Sequence, residues 1–321
     1  MASFNHEAFV ATAARSVLDQ SFTDLELIVV DDASSDGTLA RVTSMNDPRL
    51  SVIPMTANRA MNGRNLALRQ ARGRYVAFQN SDDVWAPGKL AQQISLLSSR
   101  RDAAACFTQV EVIGGDDQPV SGTFLDGLFR NDALLRLEWL RLFFDAGNCL
   151  CISSAVVRTD LVRRVGGFRG SLVQLSDYDL WVRLATLGEL LMVEAPLTRM
   201  RHTGGNFGRP SPEGQRRSQI EHVDVLMRYA EFPLARQLHR IFPDVVDRRA
   251  LPAEAVLALA LSRRGRSLRH DLFADRIVAR VLDDKAARAR AVERHGTGFI
   301  HDFLAVRAQL ETRLVSTGEA P

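Results

Sequence analysis

The chain has 321 residues, 46% of them hydrophobic and 25% charged, a globular composition that supplies a large core and excludes a disordered chain. That length predicts a main body with a smaller appendage. The net charge of +3 makes no demand for nucleic acid, and apart from Lys89 and Lys285 the basic residues are arginines and histidines; the planar arginine fork suits phosphate oxygens.

Phe9, Val10, Ala13, Ala14, Val17 and Leu18 recur at helical spacing and predict a helix over Glu7 to Leu18, with Asn5 as its N-cap. Leu25 to Val30 is a short apolar run that predicts a strand buried on both faces, stopping at Asp31 and Asp32. The pattern then alternates: helix at Thr38 to Met45, strand at Leu50 to Ile53, helix at Asn62 to Ala71, strand at Arg74 to Phe78, helix at Gly88 to Ser98, strand at Ala104 to Ile113. Such alternation predicts an α/β fold with a mostly parallel sheet, helices on both faces, and a ligand crevice outside the carboxyl ends of the strands.

Further on, a helix is expected at Leu134 to Phe144, a β stretch at Cys149 to Val157 and a helix from Thr159. A turn at Gly166 to Phe168 precedes a helix at Asp177 to Leu187 and an extended segment at Leu190 to Met200, and everything beyond Pro210 reads as helical. Cys106, Cys149 and Cys151 make neither a disulfide framework nor a zinc cage. The most apolar run, Ala255 to Leu261, is too short to span a membrane. With no secretory signal in view, the expected location is the cytoplasm.

Two acidic doublets stand out, Asp31 with Asp32 and Asp82 with Asp83, each directly after a buried strand and therefore facing the same edge. Carboxylates gathered in this way repel one another unless a cation or hydrogen-bond donors lie between them. Asp36 reads as a turn former. On the residues alone, Asp177 reads equally as a cap for the helix that continues through Trp181, His202 as a packing residue, and Arg64 as an exposed helix arginine.

Ordered motifs add a resemblance. Ser3-Phe4-Asn5-His6-Glu7, Arg15 to Phe22, Glu26 to Thr38, Asn62-Gly63-Arg64-Asn65, Ala71 to Tyr75, Asn80-Ser81-Asp82-Asp83, Gly166-Gly167-Phe168, Ser176 to Leu184 and Arg201-His202 together resemble the inverting glycosyltransferases of family 2. The resemblance spans residues 1–215 and implies a GT-A-type catalytic domain there, with a helical region at 216–321.

That resemblance implies that Asp32 accepts from the nucleotide base with Asp31 beside it, that Arg64 binds the nucleotide, and that Phe4, Asn5, Glu7, Asn80 and Ser81 line the nucleotide-sugar site. It further implies that Asp82 holds Mg2+ or Mn2+, that Asp83 positions the sugar, that His202 approaches the metal or the diphosphate, and that Asp177 is the catalytic base. By the same resemblance the donor is expected to be UDP- or dTDP-linked and the acceptor a glycan or lipid-linked hydroxyl. The pathway would be surface polysaccharide synthesis, with peripheral contact at the inner face of the membrane.

Three departures accompany it. Only Met1 and Ala2 precede Ser3, where the family has a full first strand, so further upstream residues are expected in the natural protein. Asn80 replaces the first acid of the metal triplet, and Ser176 replaces an acid before Asp177. The competing expectations are a non-catalytic relative that only binds, favoured by those departures, and a sugar nucleotidyltransferase, disfavoured because no glycine-rich basic phosphate loop opens the chain. A glycosidase would need two carboxyl groups flanking a sugar bond and no nucleotide pocket.

Overall fold

The structure, a computed structural model, describes residues 1–57, 62–203 and 211–316. The chain divides into two compact units, Met1–Trp139 with Asn148–Asn206, and Leu140–Gly147 with Phe207–Pro321.

Along the first unit run β1 (Ala2–Ser3), α1 (Val10–Leu18), β2 (Leu27–Asp31), α2 (Thr38–Thr43), β3 (Leu50–Pro54), α3 (Asn62–Gln70), β4 (Tyr75–Ala77) and β5 (Val84–Trp85). Next come α4 (Lys89–Ser99), β6 (Ala103–Ile113), α5 (Arg136–Ala146), whose later turns belong to the second unit, β7 (Val156–Arg158), α6 (Thr159–Arg164), α7 (Ser176–Ala185) and β8 (Glu189–Arg201). Strands β1, β2 and β3 pair in parallel. The other five strands form a mixed sheet in the order β4-β7-β6-β8-β5, parallel only between β6 and β8.

An isolated parallel bridge from Ala2 to Asn80 joins the two sheets. At the place where the family resemblance leads one to look for a full strand, β1 contributes two residues. Val30 N–H donates to the Met1 carbonyl and Asp32 N–H to the Ser3 carbonyl, so the β2 edge is paired there.

Strand alternation decides the layers. Leu27 and Val29 join Val10, Ala14, Val17 and Leu18 of α1, Val42 of α2 and Leu90 and Leu97 of α4 in one core. Val30 points the opposite way, under Gly63 of α3, where an added methyl would lie 3.4 Å from Val30 Cγ1. On β6, Cys106 belongs to the first face, while Phe107 meets Trp181 of α7 edge-on at 4.9 Å on the other. Phe78 and Phe168 complete that second aromatic cluster. Each large apolar side chain buried this way contributes about 1.5–3 kcal/mol.

Two local expectations are corrected. Asn5 does not cap α1: Phe9 occupies the N-cap position, and Asn5, at φ 50°, instead accepts from Ser35 N–H at 2.9 Å. The stretch from Cys149 to Val157 is not one strand. Ser154 donates through both its amide and its hydroxyl to the Cys151 carbonyl, winding Ile152–Ser154 into a 3-10 turn before β7.

The second unit is helical, with α8 (Pro212–Leu226), α9 (Leu238–Ile241), α10 (Pro252–Ser262), α11 (Leu268–Asp283), α12 (Lys285–His295) and α13 (Gly298–Ser316). Phe144 packs edge-on against Tyr229, Phe242 and Phe273 at 4.9–5.3 Å. Among the described residues, no helix is long and apolar enough to cross a membrane.

Candidate active site

The register of the strands assembles the site. Ser3 pairs with Asp31, and Ala2 bridges Asn80, so the residues after β1, after β2 and in the turn before β5 emerge side by side at one sheet edge. Asp31, Asp32, Ser81, Asp82 and Asp83 are all buried there. Asp31 accepts from the Ser34 amide at 3.0 Å and from the hydroxyls of Ser34 and Ser3 at 2.6 and 3.1 Å. Asp36 accepts from Thr38 N–H and behaves as a turn former.

The two members of the second doublet differ. Asp83 accepts from Asn80 Nδ2 at 3.1 Å, Ser153 Oγ at 2.5 Å and Arg201 N–H at 2.9 Å. Asp82 has its carboxylate near His6, with Nε2 at 3.9 Å from Oδ2, while His6 Nδ1 lies 2.8 Å from Ser81 Oγ. Burial, and then the neighbouring Asp82 charge, push the Asp83 carboxyl up. The Asp83 carboxyl therefore retains a proton more readily than an isolated one.

Arg64 ties this edge to α7. Its Nη2 donates to Asn80 Oδ1 at 3.1 Å, and its guanidinium lies 5.7 Å from the Phe168 ring centroid. Burial lowers the Arg64 pKa, while the charges of Asp177, Asp83 and Asp82 raise it. Those three carboxylates thus act on a single guanidinium. Behind it, Asn65 Nδ2 donates to the Phe168 carbonyl at 2.8 Å and Phe168 N–H to Asn65 Oδ1 at 2.9 Å.

Asp177 sits in the first turn of α7 and is half-buried, not at the N-cap, which Leu175 occupies. Its Oδ1 accepts from Tyr178 N–H at 2.8 Å and its Oδ2 from Asn148 Nδ2 at 3.2 Å. Burial pushes the Asp177 carboxyl up, against the pull of Tyr178 N–H, Arg64 and Asn148. A carboxylate with raised proton affinity is the chemistry that proton abstraction needs.

The remaining residues named from the sequence lie at the margins. Phe4 is 39% exposed, and Glu7 Oε2 accepts from Gly37 N–H at 3.0 Å, ahead of α2. Asn5, Glu7 and Asp36 line an open cleft of about 560 Å3 that His6 also borders. His202 donates its amide to the Ile113 carbonyl, and its ring meets Phe124 edge-on at 5.9 Å. The chain brings Asp82 an imidazole from His6.

Sequence reasoning passed over Asn148 and Ser153, and it quoted His6 and Arg201 without giving them roles. Ser153 and Asp83 are 70 positions apart, His6 and Ser81 75; no local pattern announces such pairs.

Among the described residues, no three His, Cys, Asp or Glu side chains gather into a metal cage. The donor set fits a cation only where a ligand shares it: Asp82 offers one carboxylate beside His6, and a hard cation fills its remaining positions with other oxygens, such as those of a diphosphate.

A mixed sheet flanked by helices, with acidic residues at one sheet edge, is the architecture of a GT-A-type glycosyltransferase. Residues 1–160, about half of the chain, match the model of the family described as Glycosyl transferase family 2, and the chain belongs to that family. It is 28% identical over 238 residues to the UDP-Glc:alpha-D-GlcNAc-diphosphoundecaprenol beta-1,3-glucosyltransferase WfgD of Escherichia coli, covering 74% of this chain and 87% of that one. It is 36% identical over 143 residues to the succinoglycan biosynthesis protein ExoO of Rhizobium meliloti, covering 44% of this chain and only 39% of that one. The fold is similar to the mannosyltransferase PcManGT from Pyrobaculum calidifontis, solved in complex with GDP-Man and Mn2+, with a TM-score of 0.55 at 18% identity over 95% of this chain and 84% of that chain.

Proposed function

We propose that this protein is an inverting, metal-assisted hexosyltransferase, which moves a sugar from a UDP- or dTDP-linked donor to a hydroxyl of a glycan or lipid-linked acceptor in surface polysaccharide synthesis. The observation that carries this reading is the sheet edge at which β1, β2 and the turn before β5 bring together the buried Asp31, Asp32, Asp82 and Asp83, with Arg64 donating to Asn80 of that turn at 3.1 Å. Catalysis is assigned to residues 1–215, with 216–321 a separate helical region. WfgD, whose name specifies UDP-Glc and a diphosphoundecaprenol acceptor, supports the donor class and the acceptor class. A lipid-linked acceptor also implies a cytoplasmic protein working at the inner face of the membrane.

In this reading Asp32 and Asp31 receive the nucleotide base, with Phe4, Asn5, Glu7 and Ser81 along the path to it, and Arg64 donates to the diphosphate as it now donates to Asn80. Asp82, with His202 approaching from β8, would hold Mg2+ or Mn2+, an ion that supplies Lewis-acid neutralisation of the departing diphosphate. Asp83, fixed by Ser153 and Asn80, positions the sugar. Asp177 takes the proton of the acceptor hydroxyl as that oxygen attacks the anomeric carbon opposite the leaving phosphate, which inverts the configuration.

The test is a panel of nucleotide sugars assayed for transfer and for donor hydrolysis, with Mn2+ and with EDTA, on the wild type and Asp177→Asn. The expected result is cation-dependent turnover of a UDP- or dTDP-sugar by the wild type, with UDP still bound by the variant. Nucleotide binding with no transfer and no hydrolysis of any donor would instead support a non-catalytic relative, the reading that Asn80 in place of an acid favours.

A further inference from the structure

Strand register singles out one more residue. β5 pairs antiparallel with β8, Val84 opposite Arg199 and Trp85 opposite Thr198. Continuing that register by two residues sets Arg201 opposite Asp82. β8 also pairs with β6 in parallel, Arg201 beside Ile113, so the turn after β6 begins at the same place. Arg201 is therefore buried where three segments meet.

Its donors are all directed. The Arg201 amide donates to Asp83 Oδ1 at 2.9 Å and Nε to the Asp82 carbonyl at 2.8 Å. Nη1 donates to the Gly114 carbonyl at 2.6 Å, and Nη2 pairs with the Asp117 carboxylate. The face of the guanidinium lies 4.5 Å from the Phe9 ring centroid. Arg199, two residues earlier on β8, holds the same turn by donating to the Asp117 carbonyl at 2.7 Å.

We infer that Arg201 is a positioning residue for the cation and donor site: it fixes the Asp82–Asp83 turn from behind and couples it to the exposed turn at Asp117. The inference rests on the proposed role of Asp82. Its physical basis is that a side-chain carboxylate is only as well aimed as its backbone, and the Asp82 carbonyl and the Asp83 carboxylate are both held by Arg201. A lysine keeps the charge but offers neither the planar fork nor the donor directions that reach Asp82, Gly114 and Asp117 together. Groups that orient a metal-binding side chain in this way change metal affinity by about 10- to 100-fold when removed.

The experiment is UDP binding by calorimetry, with and without Mn2+, on the wild type, Asp82→Ala, Arg201→Lys and Asp117→Asn. Thermal midpoints are recorded alongside. The quantity read is the gain in UDP affinity that Mn2+ confers. Asp82→Ala is expected to abolish that gain, Arg201→Lys to reduce it about tenfold with metal-free UDP affinity kept, and Asp117→Asn to reduce it in the same direction by less. Asp117 is 49% exposed, so its variant folds even where Arg201→Lys does not. In the Asp82→Ala background, Arg201→Lys should cause no further loss. If Asp82→Ala abolishes the gain while Arg201→Lys and Asp117→Asn retain it in full, the positioning role is overturned and the role of Asp82 stands. If Asp82→Ala itself retains the gain, the reading of Asp82 fails first.

Discussion

At the scale of single residues, Asp177 carries the most specific chemistry. Burial raises its proton affinity above the ordinary value of 3.8, and Arg64 opposes that rise. A base must be ionised to act, so kcat/KM should fall as pH drops through this raised pKa. Arg64→Gln removes a charge that favours the ionised form and should shift this acid limb to higher pH; a pH profile of both proteins measures it. Asp177→Asn should lose about 100- to 10,000-fold in turnover while calorimetry finds UDP affinity unchanged. An equal loss of binding in that variant would make Asp177 a structural cap.

At the scale of elements, the turn of Gly166, Gly167 and Phe168 supports the site from below. Gly167 has φ +67°, and a Cβ there would lie 2.6 Å from Asn65 Oδ1, the atom that receives Phe168 N–H. Gly167→Ala should cost more than about 1 kcal/mol and also weaken UDP binding, since Phe168 lies under Arg64; urea denaturation and calorimetry separate the two effects. On α7, Trp181 is fully buried, and its indole N–H has no hydrogen-bond partner among the described residues. Trp181→Ala should cost about 3–5 kcal/mol. Trp181→Phe should cost far less, because it also removes an unsatisfied donor.

Several of these elements were legible because burial follows the period of each segment: α1 and α4 carry an apolar stripe, and β2 is apolar on both faces. The first acidic doublet was legible because β2 ends at Asp31; the second does not follow a strand end directly, since β4 stops at Ala77, and the Ala2 to Asn80 bridge brings its turn to the same edge. Illegible were contacts made only by tertiary closure, such as Ser153 on Asp83 and Arg201 on Asp82. The Cys149 to Val157 run misled because the Ser154 hydroxyl competes with strand pairing for the Cys151 carbonyl.

At the scale of the whole molecule, stability carries the mark of Lys89, one of only two lysines. It is fully buried, its Nζ donates to Gln93 Oε1 at 2.8 Å and lies 4.1 Å from the Trp85 ring centroid, and burial lowers its pKa to about 7 from 10.5. Between those two values the unfolded chain holds a proton that the folded chain has released, so this group makes stability rise with pH across that window. Urea midpoints of the wild type should show the rise and those of Lys89→Met should lack it. The account as a whole stands on the proposal that Asp32, Asp82, Arg64 and Asp177, all in the first unit, share one site. The most direct measurement is a crystal structure with UDP and Mn2+. The account predicts the uracil beside Asp32, with the diphosphate and cation between Arg64 and Asp82 and facing Asp177. Nucleotide bound elsewhere, or a cation with no oxygen from Asp82, would contradict it.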